Sequence, residues 1–176
     1  LVNAGFDVIG IANNHMLDRG DDGLRFTRDY IAERAEAVIG YDRDSIAVVE
    51  RKGIKLAFVQ MTYSTNCDGH SDIPRLSFSL CERLIKRAKE KADAVIVCVH
   101  FGDEFDSGRA MSVFPTNEKQ EEYARFIADC GADIIIGTHP HVLQRTEWIE
   151  RSDGGRTLCV YSLGNFLSNM RYGAQM

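Results

Sequence analysis

Short apolar runs alternate with amphipathic segments along most of the chain. Several runs are rich in β-branched residues, which favours strands. Lys52-Gly53 and Asp153-Gly154-Gly155 are turn signals between neighbouring runs and predict two hairpins. The continuous apolar run at 94–99 is typical of a strand that is buried on both faces. The predicted strands are 6–12, 37–40, 46–50, 54–61, 94–99, 134–136, 144–150 and 157–162.

Apolar residues recur at helical spacing between these strands and predict three helices. The first is capped near Asp21 or Asp22, the second starts with capping-box spacing at Ser79 and Glu82, and Asn117 caps the third. Their predicted inner faces comprise Leu24, Thr27, Ile31 and Ala35; Leu80, Leu84, Ile85 and Ala88; and Tyr123, Phe126, Ile127 and Cys130. Alternation of strands and helices predicts an α/β fold with a mixed, partly parallel sheet and flanking helices.

Composition narrows the class of protein. A chain of 176 residues with 44% hydrophobic and 27% charged residues predicts one domain over residues 1–176. Its net charge of −5, with no polybasic run, argues against a nucleic-acid partner. The five cysteines have no metal or redox spacing and are expected to be small apolar core residues. Residues 1–5 have the pattern of a last helical turn, from which we expect an N-terminally incomplete domain.

Four of the five histidines lie at or shortly after the ends of predicted strands: His15, His100, His139 and His141. Since parallel strands bring their carboxyl ends to one edge of a sheet, these side chains can converge. Imidazole suits Zn, Mn, Fe or Co. The alternative is that each of these histidines binds a backbone carbonyl or faces water. The fifth histidine, His70, lies in a polar loop and is expected to be a solvated surface residue.

Several polar and glycine-containing motifs occur in a fixed order along the chain. They are Ala12-Asn13-Asn14-His15-Met16-Leu17-Asp18-x-Gly20-x-x-Gly23-Leu24, His100-Phe101-Gly102-x-Glu104-Phe105, Gly131-Ala132-Asp133, Gly137-Thr138-His139-Pro140-His141-Val142-Leu143-Gln144 and Tyr161-Ser162-Leu163-Gly164-Asn165-Phe166. Together these motifs closely resemble the CapA family, the poly-γ-glutamate capsule biosynthesis proteins, and the resemblance covers nearly the whole chain. That family resembles a branch of the calcineurin-like metallophosphoesterase fold.

The resemblance implies a dinuclear site of divalent transition metals (Mn, Fe or Zn). By motif position, Asn14, His100 and His139 would bind one metal and His141 the other. The Asp-x-His motif and bridging Asp that precede the Asn-His motif in metallophosphoesterases are absent here. We therefore expect two metals in a complete protein and fewer or none in this chain.

The catalytic assignments come from the same resemblance. His15 would be the general acid that protonates a leaving group. Asp18 would orient His15, or would instead cap the following helix. Asn14 is open to a second interpretation, as a turn residue that uses its side chain locally.

Three functions stay open at this point. The first is a metal-dependent hydrolase for an anionic substrate, either a phosphoester or the γ-glutamyl polymer. The second is a non-catalytic component of a capsule polymer synthesis or export assembly that includes membrane proteins. The third is a truncated piece without activity of its own. The family implies an extracytoplasmic, membrane-associated location, although the chain shows no anchor of its own.

Other polar residues of the candidate loops carry weaker expectations. Asp103 and Glu104 could touch a substrate, support a ligating histidine from behind, or be solvated charges. An anionic substrate could bind a guanidinium, for which Arg19, Arg109 and Arg145 are candidates. Asn165 is expected to close the turn after the last strand.

Overall fold

The computed structural model describes residues 2–67, 72–104 and 115–167, and these confirm the predicted α/β class. A 3₁₀ turn at Val2–Ala4 precedes the first strand. The strands are β1 (Val8–Gly10), β2 (Ala37–Ile39), β3 (Ala47–Arg51), β4 (Ile54–Thr62), β5 (Ala94–His100), β6 (Ile134–Thr138), β7 (Thr146–Glu150) and β8 (Arg156–Val160). The helices are α1 (Gly20–Ala32), α2 (Phe78–Lys89) and α3 (Glu118–Asp129).

Six strands form a mixed sheet in the order β3-β4-β5-β6-β8-β7. The central strands β4, β5, β6 and β8 run parallel, while β3 and β7 pair antiparallel at the two edges. Alternate residues of β4 join a core with α2 and α3, which also contact each other. Helices α2 and α3 cover one face of the sheet. Strand β5 is buried or half-buried along its whole length, as its continuous apolar sequence predicts.

The strands β1 and β2 form a separate parallel pair. A buried side chain, Gln60 of β4, joins this pair to the large sheet. Its Oε1 accepts a hydrogen bond from the backbone N–H of Ala12 at 3.0 Å, and its Nε2 donates to the carbonyl of Ala12 at 3.2 Å. A Cβ added at Gly10 or Gly40 would come within 2.5 Å or 2.4 Å of Gln60 Oε1. The two glycines therefore leave the space that this joint requires.

Two of the three predicted helix starts are wrong. Helix α1 is preceded by Arg19, which makes no side-chain capping bond, so Asp21 and Asp22 lie in the first turn. There they still interact favourably with the helix dipole. Helix α2 is capped two residues earlier than predicted, because extended Ser77 accepts from the N–H of Leu80. The cap of α3 is confirmed, with Asn117 and Gln120 forming a capping box.

The predicted inner face of α1 is also incorrect. None of the residues of α1 is buried within the described structure, and Ala35 lies beyond the end of the helix. Leu24 and Ile31 instead line an open cleft beside β1. In the described part of the chain, no helix has the length and apolar character needed to cross a membrane.

We expect Gln60→Met to lower the free energy of unfolding by about 1–3 kcal/mol, because it leaves the N–H and carbonyl of Ala12 without partners. Equilibrium unfolding in urea measures the change. Lys55→Met is the matched control, since it places the same side chain at an exposed position of the same strand. Equal stabilities for the two variants would contradict the proposed joint.

Candidate functional site

Parallel pairing brings two of the predicted histidines to one edge of the sheet. His100 ends β5 and lies in register with Thr138, which ends β6, so His139 follows directly. The ring centroids of His100 and His139 are 4.5 Å apart, and those of His139 and His141 are 6.3 Å apart. The convergence predicted from strand ends is therefore present in the structure.

One ring nitrogen of both His100 and His139 contacts a neutral hydroxyl group. The Nδ1 atom of His100 lies 3.1 Å from Oγ1 of Thr138. The Nε2 atom of His139 lies 3.1 Å from the hydroxyl oxygen of Tyr63, whose ring packs against the imidazole. These contacts orient the two rings and leave His100 Nε2 and His139 Nδ1 directed into the site.

His141 is held in a similar way. Its Nδ1 donates to Oδ1 of Asn165 at 2.8 Å, so the lone pair of the neutral ring is on Nε2. Both His139 and His141 adopt positive φ angles, of 109° and 61°. Such angles are uncommon outside glycine and carry backbone strain. Asn165 therefore has a defined contact in the site, beyond the turn-closing role expected from the sequence.

Asn14 reaches the histidines from the second sheet. Its Oδ1 lies 3.1 Å from His100 Nε2, and its Nδ2 donates to Oδ1 of Asn66 at 3.3 Å. Both Asn14 and His100 are buried. The structure thus favours a site position for Asn14 over the alternative of a purely local turn residue.

Burial also keeps the imidazoles uncharged. Desolvation, followed by the nearby histidines, lowers the pKa of His100 to about 3. Desolvation lowers the pKa of His139 as well. Near neutral pH both rings are therefore neutral, which is the form of imidazole that binds metals.

The Nδ1 atom of His139 is a buried side-chain nitrogen with no hydrogen-bond partner in the described part of the chain. An unpaired buried polar atom of this kind needs an explanation, such as an ion. The described residues contain no preassembled group of three His, Cys, Asp or Glu side chains for a metal ion. The donor atoms of the site are therefore of the kind that binds metals, and they point toward one another. They are too far apart to surround a single ion in this conformation.

His15 lies at the rim of the site and is largely exposed. Its Nδ1 is 2.8 Å from Oδ2 of Asp18 and 3.2 Å from Nδ2 of Asn66. Since Arg19 occupies the cap position of α1, Asp18 contacts His15 rather than capping the helix.

Sequence reasoning missed Tyr63 and Asn66. They lie just after β4, whose last residue, Thr62, is in register with His100. The end of this parallel strand is the signal that could have identified them.

The remaining charged candidates are distributed differently. Glu104 lies among the histidines, whereas the Asp103 carboxylate accepts from Nδ2 of Asn117. Arg145 pairs with Glu121 on α3 rather than entering the site. Arg19 lines the cleft beside α1. His70 and Arg109 lie outside the described residues.

Comparison with known proteins gives consistent results. The family model described as "Bacterial capsule synthesis protein PGA_cap" matches residues 1–170. The PGA biosynthesis protein CapA of Bacillus subtilis (strain 168) is 30% identical over 95% of this chain and 44% of its own length. The capsule biosynthesis protein CapA of Bacillus anthracis is 32% identical over 93% of this chain and 40% of its own. The chain thus spans less than half the length of these curated relatives.

A solved structure shares the fold. A candidate 5′-nucleotidase from Staphylococcus aureus, determined in complex with α-ketoglutarate, matches with a TM-score of 0.57 and 20% sequence identity. The match covers 92% of this chain and 33% of that one. At this identity the likeness concerns the fold alone, and it agrees with the predicted fold class.

In protein treated with a chelator, we expect the free energy of unfolding to decrease as the pH falls below about 6.5. The unfolded chain then takes up a proton at His100 that the folded chain does not bind until about pH 3. Each pH unit between these values costs up to about 1.4 kcal/mol from this group. Urea unfolding at several pH values measures the slope. His100→Gln removes the titrating group, and a slope as steep as that of the wild type would contradict the assignment.

Proposed function

The chain belongs to the PGA_cap family of bacterial capsule synthesis proteins, and we propose that its histidine cluster is a metal-dependent, hydrolase-like site for an anionic substrate. The substrate would be a phosphoester or a γ-glutamyl polymer such as poly-γ-glutamate. One observation carries the proposal. Among the described residues, His139 Nδ1 is buried without a hydrogen-bond partner, in a cluster where each histidine has its other ring nitrogen held by a neutral group.

The donors of this chain for divalent transition metals would be Asn14, His100, His139 and His141. Neutral imidazole and amide oxygen are suitable ligands for Zn, Mn or Fe. Such ions, when bound, supply a Lewis acid and an activated water. The chain's own contribution is to orient the rings, to keep those of His100 and His139 neutral by burial, and to limit access of bulk water.

His15 would act as the general acid in this proposal. It follows Asn14 directly, and its Nδ1 is held by Asp18, so its Nε2 is the nitrogen left to face a bound substrate. From there it can donate a proton to the leaving oxygen or nitrogen. Asp18 is then a positioning residue, because it acts through the orientation of His15.

The second candidate function is a non-catalytic component of a capsule polymer assembly. The names of both Bacillus relatives favour it, since one describes PGA biosynthesis and the other capsule biosynthesis, and neither describes hydrolysis. The donors, which are not closed around one point, also favour it. In such an assembly the same surface would bind the anionic polymer, and membrane proteins of the synthesis machinery would be its partners.

We expect His100→Ala and His139→Ala each to lower bound transition metal by at least about tenfold, because each removes a direct donor. Elemental analysis after dialysis, on this chain and on a form extended to the length of the relatives, measures the metal content. His15→Ala is the matched control and should retain its metal. Unchanged metal in both donor variants would exclude the proposed site.

We expect His15→Ala to slow hydrolysis by about 10²–10⁴-fold with bound metal unchanged, since general acid catalysis contributes this much. Turnover of an aryl phosphodiester and of a γ-glutamyl oligomer is measured on metal-loaded protein. Asp22→Asn, on the exposed first turn of α1, is the control and should leave the rate unchanged. An undiminished rate in His15→Ala would exclude it as the acid. Metal binding with no turnover in the wild type would favour the assembly component.

A further inference from the structure

We propose that Glu104 is a further ligand of the proposed metal site, and that its carboxylate supplies the negative charge which the other donors of this chain lack. The inference rests on the proposed function, because it concerns the same site. It assigns a definite role to a residue for which the sequence left several open.

The carboxylate of Glu104 lies beside the expected metal donors. Oε1 of Glu104 lies 3.8 Å from His139 Nδ1 and 3.9 Å from His141 Nε2. It is also 3.5 Å from Nδ2 of Asn14. One carboxylate oxygen thus faces atoms from three of the four expected metal-binding residues. Among these atoms is the buried nitrogen of His139, which has no hydrogen-bond partner among residues 2–67, 72–104 and 115–167.

The distances between the Glu104 carboxylate and the two imidazoles fit ligands of a shared ion better than hydrogen bonds. Separations of 3.8 and 3.9 Å between the Glu104 oxygen and the two imidazole nitrogens are too long for hydrogen bonds. Two donors that each lie about 2.0–2.2 Å from a shared ion are themselves about 2.8–3.6 Å apart at octahedral or tetrahedral angles. A shift of less than about 1 Å would therefore bring Glu104 and either histidine to the spacing of shared ligands.

A divalent cation at this site needs a negatively charged ligand. The amide of Asn14 and the imidazoles of His100 and His139 carry no negative charge. A divalent cation held only by such donors would lose hydration without charge compensation, which is costly in a partly buried site. Within the described residues, the Glu104 carboxylate lies within 4 Å of the side chains of Asn14, His139 and His141. About half of its side chain is exposed, so water can solvate its charge when no ion is bound.

The three residues before Glu104 are held in place by contacts with the rest of the fold. Phe101 is buried, and its N–H donates to the carbonyl of Thr138 at 3.1 Å. Gly102 then turns the chain with φ of 101°, close against the amide of Gln120, where a Cβ would come within 2.6 Å. The next side chain, Asp103, is tied to Asn117. These contacts tie Asp103 to the start of α3, while Glu104 comes within 4 Å of His139 and His141.

Glu104→Gln tests the inference, because it preserves the shape of the side chain and removes its charge. Mn²⁺ affinity of the full chain is measured by calorimetric titration at fixed pH, with Asp103→Asn as the matched control from the neighbouring position. We expect Glu104→Gln to bind Mn²⁺ at least about tenfold more weakly than the wild type, as for loss of a metal-supporting group. Asp103→Asn should bind within about twofold of the wild type, because its carboxylate faces α3.

A second readout uses Co²⁺, whose visible absorption depends on its ligands. The spectrum of the Co²⁺-loaded protein should change in Glu104→Gln and stay the same in Asp103→Asn. Circular dichroism and urea unfolding check that both variants fold. Wild-type affinity together with an unchanged Co²⁺ spectrum in Glu104→Gln would overturn the inference, as would the absence of metal binding in the wild-type chain.

These outcomes separate the inference from the proposed function, because titration needs no turnover. Metal binding that depends on Glu104, with no hydrolysis of either substrate, supports the ligand and overturns the hydrolase. Hydrolysis by the wild type, with Mn²⁺ binding unchanged in Glu104→Gln, supports the hydrolase and overturns the ligand.

Discussion

The parallel pairing of β5 with β6 is the constraint on which the rest of the site depends. It places residues 38 positions apart, His100 and Thr138, side by side, so the next residue of β6's loop is His139. A slip of one residue would turn every side chain of a strand to the other face. Gly137 fixes the strand further, because a Cβ there would come within 1.9 Å of the Tyr161 carbonyl oxygen. Close contact with the chain after β8 thus holds the histidine loop in place.

A second constraint lies between the two sheets. Asn14 and His15 follow β1, while His100, His139 and His141 lie at the ends of strands of the large sheet. The site therefore exists only if the two sheets keep their relative position. The Gln60 amide provides this link at Ala12, two residues before Asn14. A buried amide bonded to both backbone groups of one residue resists sliding in a way that apolar contact alone does not. Site geometry and the stability of this joint are therefore coupled.

The sequence predicts the part of the site that periodicity determines. Histidines at strand ends converge because parallel strands share an edge, and that logic needs no knowledge of loop paths. Tyr63, Asn66 and Glu104 lie in loops, where only the folded chain shows which side chains turn inward. The start predicted for α2 was wrong for a local reason. Ser77 and Ser79 can both cap a helix, and the extended backbone at Ser77, set by the preceding loop, decides between them.

Backbone strain in the His139 loop is best understood through the site it serves. His139 and His141 hold left-handed angles that cost about 1–3 kcal/mol each in ordinary residues. The hydrogen bond from His141 to Asn165 and the backbone bond from Leu163 to Gly137 offset part of that cost. Neither bond requires a buried imidazole nitrogen without a partner, yet within the described structure the loop holds His139 Nδ1 in that state. Strain and an unpaired nitrogen in the same loop are both unfavourable for folding alone. A bound cation would stabilise both, since it pairs with the nitrogen and favours the conformation that aims it.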